Sequence, residues 1–205
     1  MARKPDPGTR DRILDVATRL FAKHGVHAVG LQQIIDESGC GKNPLYREFG
    51  NKDELVVAFL ERCREDWNAI VDEAADTTDP AQRLIALVDA VAKRAAEDGF
   101  RGCPLRNAFA EFPDETHPAH RVIVAHYTER RDHLRELARQ ARARDPGALA
   151  DRIALIIDGI NANGAVLGKT GALRTAVTFA EDTVRSQTQA PHSSRRSTQI
   201  STTTR

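Results

Sequence analysis

The sequence predicts an all-α fold, and three observations predict it. Apolar residues recur at three- and four-residue spacing along every long segment, as one face of a helix requires. No stretch alternates apolar and polar residues long enough to make a strand. The breaks at Asp79-Pro80 and Asp145-Pro146 pair a capping aspartate with a proline suited to the first helical turn. A chain of 205 residues, 40% hydrophobic, can hold a small domain and a larger one.

The first helix is expected from Arg10 to His24, with Thr9 as its cap and Asp11 where the helix dipole favours an anion. Ile13, Leu14, Ala17, Leu20 and Phe21 form its inner stripe, and Gly25 ends it. A second helix starts near Leu31 and turns Leu31, Ile34 and Ile35 inward. Gly39 supplies the positive φ that a tight helix-to-helix turn requires. A short third helix follows from Lys42 to Arg47, with Leu45 inward and Lys42, Asn43, Pro44, Tyr46 and Arg47 outward. This is a helix-turn-helix pattern, and a helix N-terminus carrying a cation, an amide and a phenol suits a phosphate-lined major groove. The plainer alternative is two helices that only pack across a glycine turn.

Asn51 caps a long fourth helix, Lys52 to Ala74, and Glu54 completes a pattern close to a capping box. Leu55, Phe59, Cys63, Trp67, Ile70 and Val71 follow its inner face. At ~1.5 Å per residue it spans about 30 Å and reaches from the first domain into the second. A fifth helix is expected from Pro80 to Asp98, a short one from Pro104 to Glu111, and a seventh from Pro118 to Arg144. Two strongly apolar helices follow, Pro146 to Leu167 and Ala172 to Ser186. They either complete the core of one chain or pair with their twins in a second copy. Residues 187–205, rich in Ser and Thr, are expected to be disordered.

Composition narrows the function classes. Net charge is +1, and residues 1–55 carry nine Lys/Arg against eight Asp/Glu, so any nucleic-acid affinity must come from local placement of charge. Cys40, Cys63 and Cys103 are odd in number and widely spaced, which fits a reduced cytoplasmic protein. No secretion signal and no membrane span is expected. His117, His120, His126 and His133 do not form a metal set, and no nucleophile–base pair or phosphate loop supports an enzyme. No cofactor is expected. Phe100, Phe109 and Phe112, with Trp67 and Tyr127, either line an apolar pocket or fill an ordinary core. Cys103 follows Gly102 near a helix start, so a thiol sensor is a second possibility.

Ile13-Leu14, Ala17, Leu20-Phe21, Gly25, Ile34, Gly39, Leu45-Tyr46, Phe49, Lys52 and Leu55 together closely resemble the N-terminal domain of TetR-type (TetR/AcrR) transcriptional regulators, over about residues 9–60. The segment RGCPLRNAFAEFPDETHP looks like a stretch found in some members. The resemblance implies a DNA-binding domain at 1–51 and an effector-binding and dimerisation domain at 52–186, joined by the helix 52–74. It implies a homodimer on a palindromic double-stranded DNA operator, released by a small apolar effector. Arg3, Lys4, Tyr46 and Lys52 would hold phosphates, while Lys42, Asn43, Pro44 and Arg47 would meet base edges or nearby backbone. Trp67, Phe100, Cys103, Leu105, Phe109, Phe112 and Tyr127 would form the effector pocket. Ile153, Ile157, Ile160, Gly164, Val177, Ala180 and Val184 would meet a second copy. Gly30, Gly41 and Pro44 stand where the family commonly has hydroxyl residues, so the hydrogen-bond pattern toward DNA differs here.

Overall fold

The computed structural model describes residues 8–169 and 171–188. Among them are nine helices and no strand: α1 Thr9–His24, α2 Leu31–Ser38, α3 Lys42–Phe49, α4 Lys52–Ala74, α5 Pro80–Ala95, α6 Pro104–Glu111, α7 Pro118–Gln140, α8 Pro146–Leu167 and α9 Ala172–Thr188. The all-α expectation therefore holds. Arg3, Lys4 and the tail from residue 189 lie outside the described residues.

Local chemistry sets most boundaries. Asn51 Oδ1 accepts the Glu54 N–H at 2.9 Å, and Asn51 Nδ2 donates to Glu54 Oε1 at 2.9 Å, which fixes the start of α4. Asp79 and Asp145 accept the N–H groups of Ala81 and Ala148, each at 2.9 Å, with a proline at the helix start in both cases. His117 Nδ1 does the same for Ala119 at 3.2 Å. Gly39 adopts φ 64°, the left-handed value the α2–α3 turn requires.

Some ends differ from expectation. Gly8, not Thr9, occupies the cap of α1, and Thr9 is buried in its first turn. α3 continues to Phe49, whose ring is buried beneath the Arg10 guanidinium at 4.4 Å. α5 stops at Ala95 rather than Asp98. α7 stops at Gln140 rather than Arg144, because Arg142 turns left-handed at φ 56° and Ala143 N–H closes on Ala138 O at 3.0 Å. Gln187 and Thr188, expected in the tail, belong to α9, and Gln187 O accepts the Arg144 N–H at 3.0 Å.

The apolar side chains gather into two cores. The first holds Ile13, Ala17, Leu20, Phe21, Ile34, Leu45 and Phe49 of the three small helices. It also takes Leu55, Val56, Phe59 and Leu60 from the first half of α4, Leu105 and Phe112 from the α6 segment, and Ile123 from α7. The second core joins α5, the later part of α7, α8 and α9 through Leu84, Val88, Leu134, Leu149, Ile153, Ile157 and Ala180. Residue 51 is thus a boundary between helices but not between cores. Among the described residues no helix is long and apolar enough to cross a membrane.

Candidate nucleic-acid interface and effector cavity

Helix α3 is held by one face only. Leu45 and Phe49 are buried, while Lys42, Asn43, Tyr46 and Arg47 are exposed and Pro44 is half-buried. The short α2–α3 turn and the buried pair leave the start of α3 projecting with its first N–H groups uncapped by any side chain. Lys42 Nζ sits 5.8 Å from the centre of the Tyr46 ring, so cation and phenol occupy one small area. Arg47 is turned aside onto Glu48, with Nε and Nη2 donating to Oε1 at 3.0 and 2.8 Å. Lys52 is half-buried at the start of α4, and burial lowers its pKa while Glu111 and Asp53 act the other way. Of the residues expected at DNA, the described six therefore lie on α3 and the adjoining first turn of α4.

The two glycines in hydroxyl positions are not sterically required. A Cβ on Gly30 would meet nothing within 4 Å, and one on Gly41 only Pro44 Cδ at 3.7 Å.

A cavity of about 790 Å³ opens between the two cores. Trp67 and Ile70 of α4, Val91 of α5, Phe100 in the following loop, and Cys103 and Leu105 at the start of α6 line it. Arg19, Ala22 and Lys23 of α1 also reach it, so one wall belongs to the small N-terminal unit. Four of the seven expected pocket residues are thus brought together: Trp67, Phe100, Cys103 and Leu105. The other three are not part of the lining. Phe109 is exposed and lies against His120 at 5.1 Å. Phe112 is buried in the first core, stacked on His117 at 4.6 Å. Tyr127 lies under the Arg130 guanidinium at 4.4 Å. α6 ends at Glu111 and Phe112 leaves the helical conformation at φ −124° and ψ 72°, so its ring is not held on the helix face that carries Phe109.

Sequence reasoning missed the polar lining, His126 and Arg130 of α7. Both are buried. Burial, with Arg130 and Arg64 nearby, lowers the His126 pKa to about 4, so the ring is neutral near pH 7. It meets Trp67 edge to face at 6.0 Å. Arg130 Nη2 donates to both carboxylate oxygens of Asp158 on α8, at 3.0 and 3.1 Å. A charged residue within an apolar helical stripe was the available signal. Cys63 also lines the cavity, and burial pushes its thiol up to about 12, which makes it a poor nucleophile.

The expected dimer residues mostly face the chain's own core. Ile153, Ile157, Ile160, Gly164, Ala180 and Val184 are buried within the chain itself, and Val177 is half-buried against the same core. Gly164 permits the close approach of α8 to α5, since a Cβ there would stand 2.9 Å from Ala95 Cβ. Val177 keeps partial exposure and Ile160 lines the outer groove between α8 and α9, so these two remain within reach of a second copy. Large apolar side chains left outside on the same two helices include Leu155, Val166, Leu167 and Phe179. Leu155, Ile156 and Phe179 share a groove between α8 and α9.

A helix-turn-helix head resting on a helical body defines a class of DNA-binding transcriptional regulators. Within that class the chain belongs to the TetR family. Residues 13–59 match the model of bacterial regulatory proteins of the tetR family, and residues 80–180 match that of the tetracyclin repressor-like C-terminal domain. The fold is similar to that of SCO4454, a TetR-family transcriptional regulator from Streptomyces coelicolor. The TM-score is 0.84 and the identity 31%, covering 88% of this chain and 96% of that one. An HTH-type transcriptional regulator of Mycobacterium tuberculosis is 35% identical over 79 residues, 38% of this chain and 39% of that protein. The HTH-type transcriptional activator FasR of Mycolicibacterium smegmatis is 38% identical over 89 residues, 43% of this chain and 41% of that protein. The matches to these two relatives span about two fifths of their length.

Proposed function

We propose that the chain is a transcriptional repressor that binds a palindromic operator in double-stranded DNA as a homodimer and leaves it when a small, largely apolar effector binds. The observation that carries this reading is the cavity wall. Arg19, Ala22 and Lys23 of α1 face the same space as Trp67 of α4 and Phe100 of the body. A molecule lodged there touches the head that carries α3, so its affinity differs between head positions, as coupling requires. Lys42, Asn43, Pro44 and Arg47 meet the major groove, and Tyr46 and Lys52, with Arg3 and Lys4 of the N-terminal arm, hold phosphates. Two copies joined through the exposed α8–α9 face present two such heads to two half-sites. The protein works in the cytoplasm, where its DNA is.

Selection of bound duplexes from a random-sequence pool tests the reading. An enriched palindrome with half-sites about one helical turn apart supports it. A folded protein that enriches no sequence at low salt overturns it. The sign of regulation follows from where the operator lies relative to a promoter; FasR, a relative over part of the chain, is described as an activator.

A thiol-sensing reading on the same fold rests on Cys103, which is half-exposed and lines the cavity. Cys103→Ser separates the two: a variant that still leaves DNA on oxidation removes Cys103 as the sensor.

A further inference from the structure

Beside the large cavity lies a smaller one of about 200 Å³. The two share Arg101, Gly102, Cys103, Asn161 and Ala165 in their linings, so they adjoin across the loop that precedes α6. Their chemistry differs. The large one offers Trp67, Ile70, Val91, Phe100 and Leu105, whereas the small one offers Arg101, Arg106, Asn107, Asp158 and Asn161.

The cations around them are not alike. Arg19, Arg94 and Arg130 of the large cavity lie on Glu37, Asp66 and Asp158, at 2.7, 3.5 and 3.0 Å. Arg101 and Arg106 are exposed, and neither guanidinium has a hydrogen-bonded or ion-paired partner among the described residues. The carboxylate of the small cavity, Asp158, is already engaged through both oxygens by Arg130. Arg101 and Arg106 are therefore two positive charges in excess at one small space, in a chain whose net charge is only +1. Like charges set together repel, and an anion between them relieves that cost. The Asn161 side-chain amide, also without a hydrogen-bond partner among the described residues, adds a neutral donor.

We infer that the effector carries a carboxylate head held by Arg101 and Arg106 in the small cavity and an apolar body lodged among Trp67, Val91 and Phe100 in the large one. This rests on the effector-cavity reading above and names the chemistry of its ligand. The guanidinium fork matches a carboxylate in plane and spacing, and a bond between charged partners is stronger than one between neutral groups. Lys23 of α1 also lines the large cavity without a partner among the described residues, but it takes no part in the small one. It therefore serves as the control cation.

The test uses three compounds with one body and different heads: cyclohexylbutanoate, cyclohexylbutanol and cyclohexylbutylamine. Trp67 is the sole tryptophan of the chain and lines the large cavity, so the change in its emission on titration reads occupancy there. The full chain should bind the carboxylate about tenfold more tightly than the alcohol, and the amine most weakly. High salt should shrink the preference, because both arginines are exposed. The double variant Arg101→Gln with Arg106→Gln changes two exposed side chains and should keep the urea midpoint of the parent. It should bind the alcohol as before and lose the preference for the carboxylate. Lys23→Gln should keep that preference. If carboxylate and alcohol bind the intact chain equally, or the amine binds tightest, this inference falls and the cavity remains an effector site. If Lys23→Gln abolishes the preference while the double variant retains it, the head is held at α1 and the inference falls as well. If none of the three compounds changes Trp67 emission, both readings fall.

Discussion

The Glu111 carboxylate accepts the Val26 N–H at 2.9 Å, joining the end of α6 to the turn between α1 and α2. Its other oxygen accepts the His27 N–H at 2.6 Å and lies 3.1 Å from His27 Nδ1. One side chain of the body thus holds two backbone donors of the head. α6 begins at the cavity with Pro104 and Leu105 and ends on this clasp with its eighth residue, so it links the two places directly. Glu111→Ala should lower stability by about 1–2 kcal/mol, since a charged acceptor for two N–H groups is removed at a partly exposed site. The midpoint of urea unfolding measures this. The same variant should weaken the effect of cavity occupancy on DNA affinity. An unchanged coupling would assign transmission to α4 alone.

Gly30→Thr should stabilise the protein. Gly30 caps α2 with φ −85° and ψ 152°, a conformation open to any residue, and space for a Cβ is free. A hydroxyl there can accept an N–H of the first turn, and the unfolded chain loses glycine's freedom. The gain should be about 0.5–1 kcal/mol by urea titration. Affinity for the selected operator should rise as well, because the substitution restores the hydroxyl that the family commonly carries at this position.

Lys52→Ala should reduce the slope of log affinity against log salt by about 0.9 for each phosphate no longer neutralised, or about 1.8 for a dimer. Tyr46→Phe should weaken binding without changing that slope, because a phenol carries no charge at neutral pH. Titrations of the operator at several salt concentrations separate the two effects. A Lys52 variant with an unaltered slope would remove Lys52 from the interface.

Leu155→Glu and Phe179→Glu should give folded monomers in analytical ultracentrifugation, since both side chains lie on the outer α8–α9 face. Ile157→Glu should not fold, because Ile157 is fully buried in the chain's own core. If the two outer variants remain dimeric, the second copy binds elsewhere.

Stability should fall with acid in a defined window. The His126 pKa is about 4 in the folded chain against an ordinary 6.5. Between those values the unfolded chain binds the extra proton, so stability is complete above pH 6.5 and is lost as pH falls toward 4. The loss should be roughly 2–3 kcal/mol. Burial also lowers the His133 pKa, which acts in the same direction. His126→Gln should flatten the dependence of the urea midpoint over this window, and an unchanged slope would assign it to other groups.

Helix ends were readable where chemistry is local. Asp79-Pro80, Asp145-Pro146 and Asn51 act on N–H groups two or three positions away, and each start appears where expected. Glu111 was not readable, because its partners are backbone groups 84 and 85 positions distant and carry no side-chain signature. The α8 stripe was legible as buried but not as buried against what. Periodicity reports a dry face, and Ile157 and Leu155 differ only in which side of the helix they take. Arg130 escaped notice in a charge-rich helix, although its register with Ile123, Tyr127, Leu134 and Leu137 marks the inner stripe.

Helix α4 gives Leu55, Val56, Phe59 and Leu60 to one core, while its later residues Trp67, Ile70, Val71 and Ala74 pack on the other. α7 divides in the same way, with Ile123 on one side and Leu134 on the other. Two cores usually offer two melting steps. Here the head cannot lose α4 without stripping a wall from the body, so heat should break the chain in a single cooperative event, with no surviving fragment for a protease to trim to.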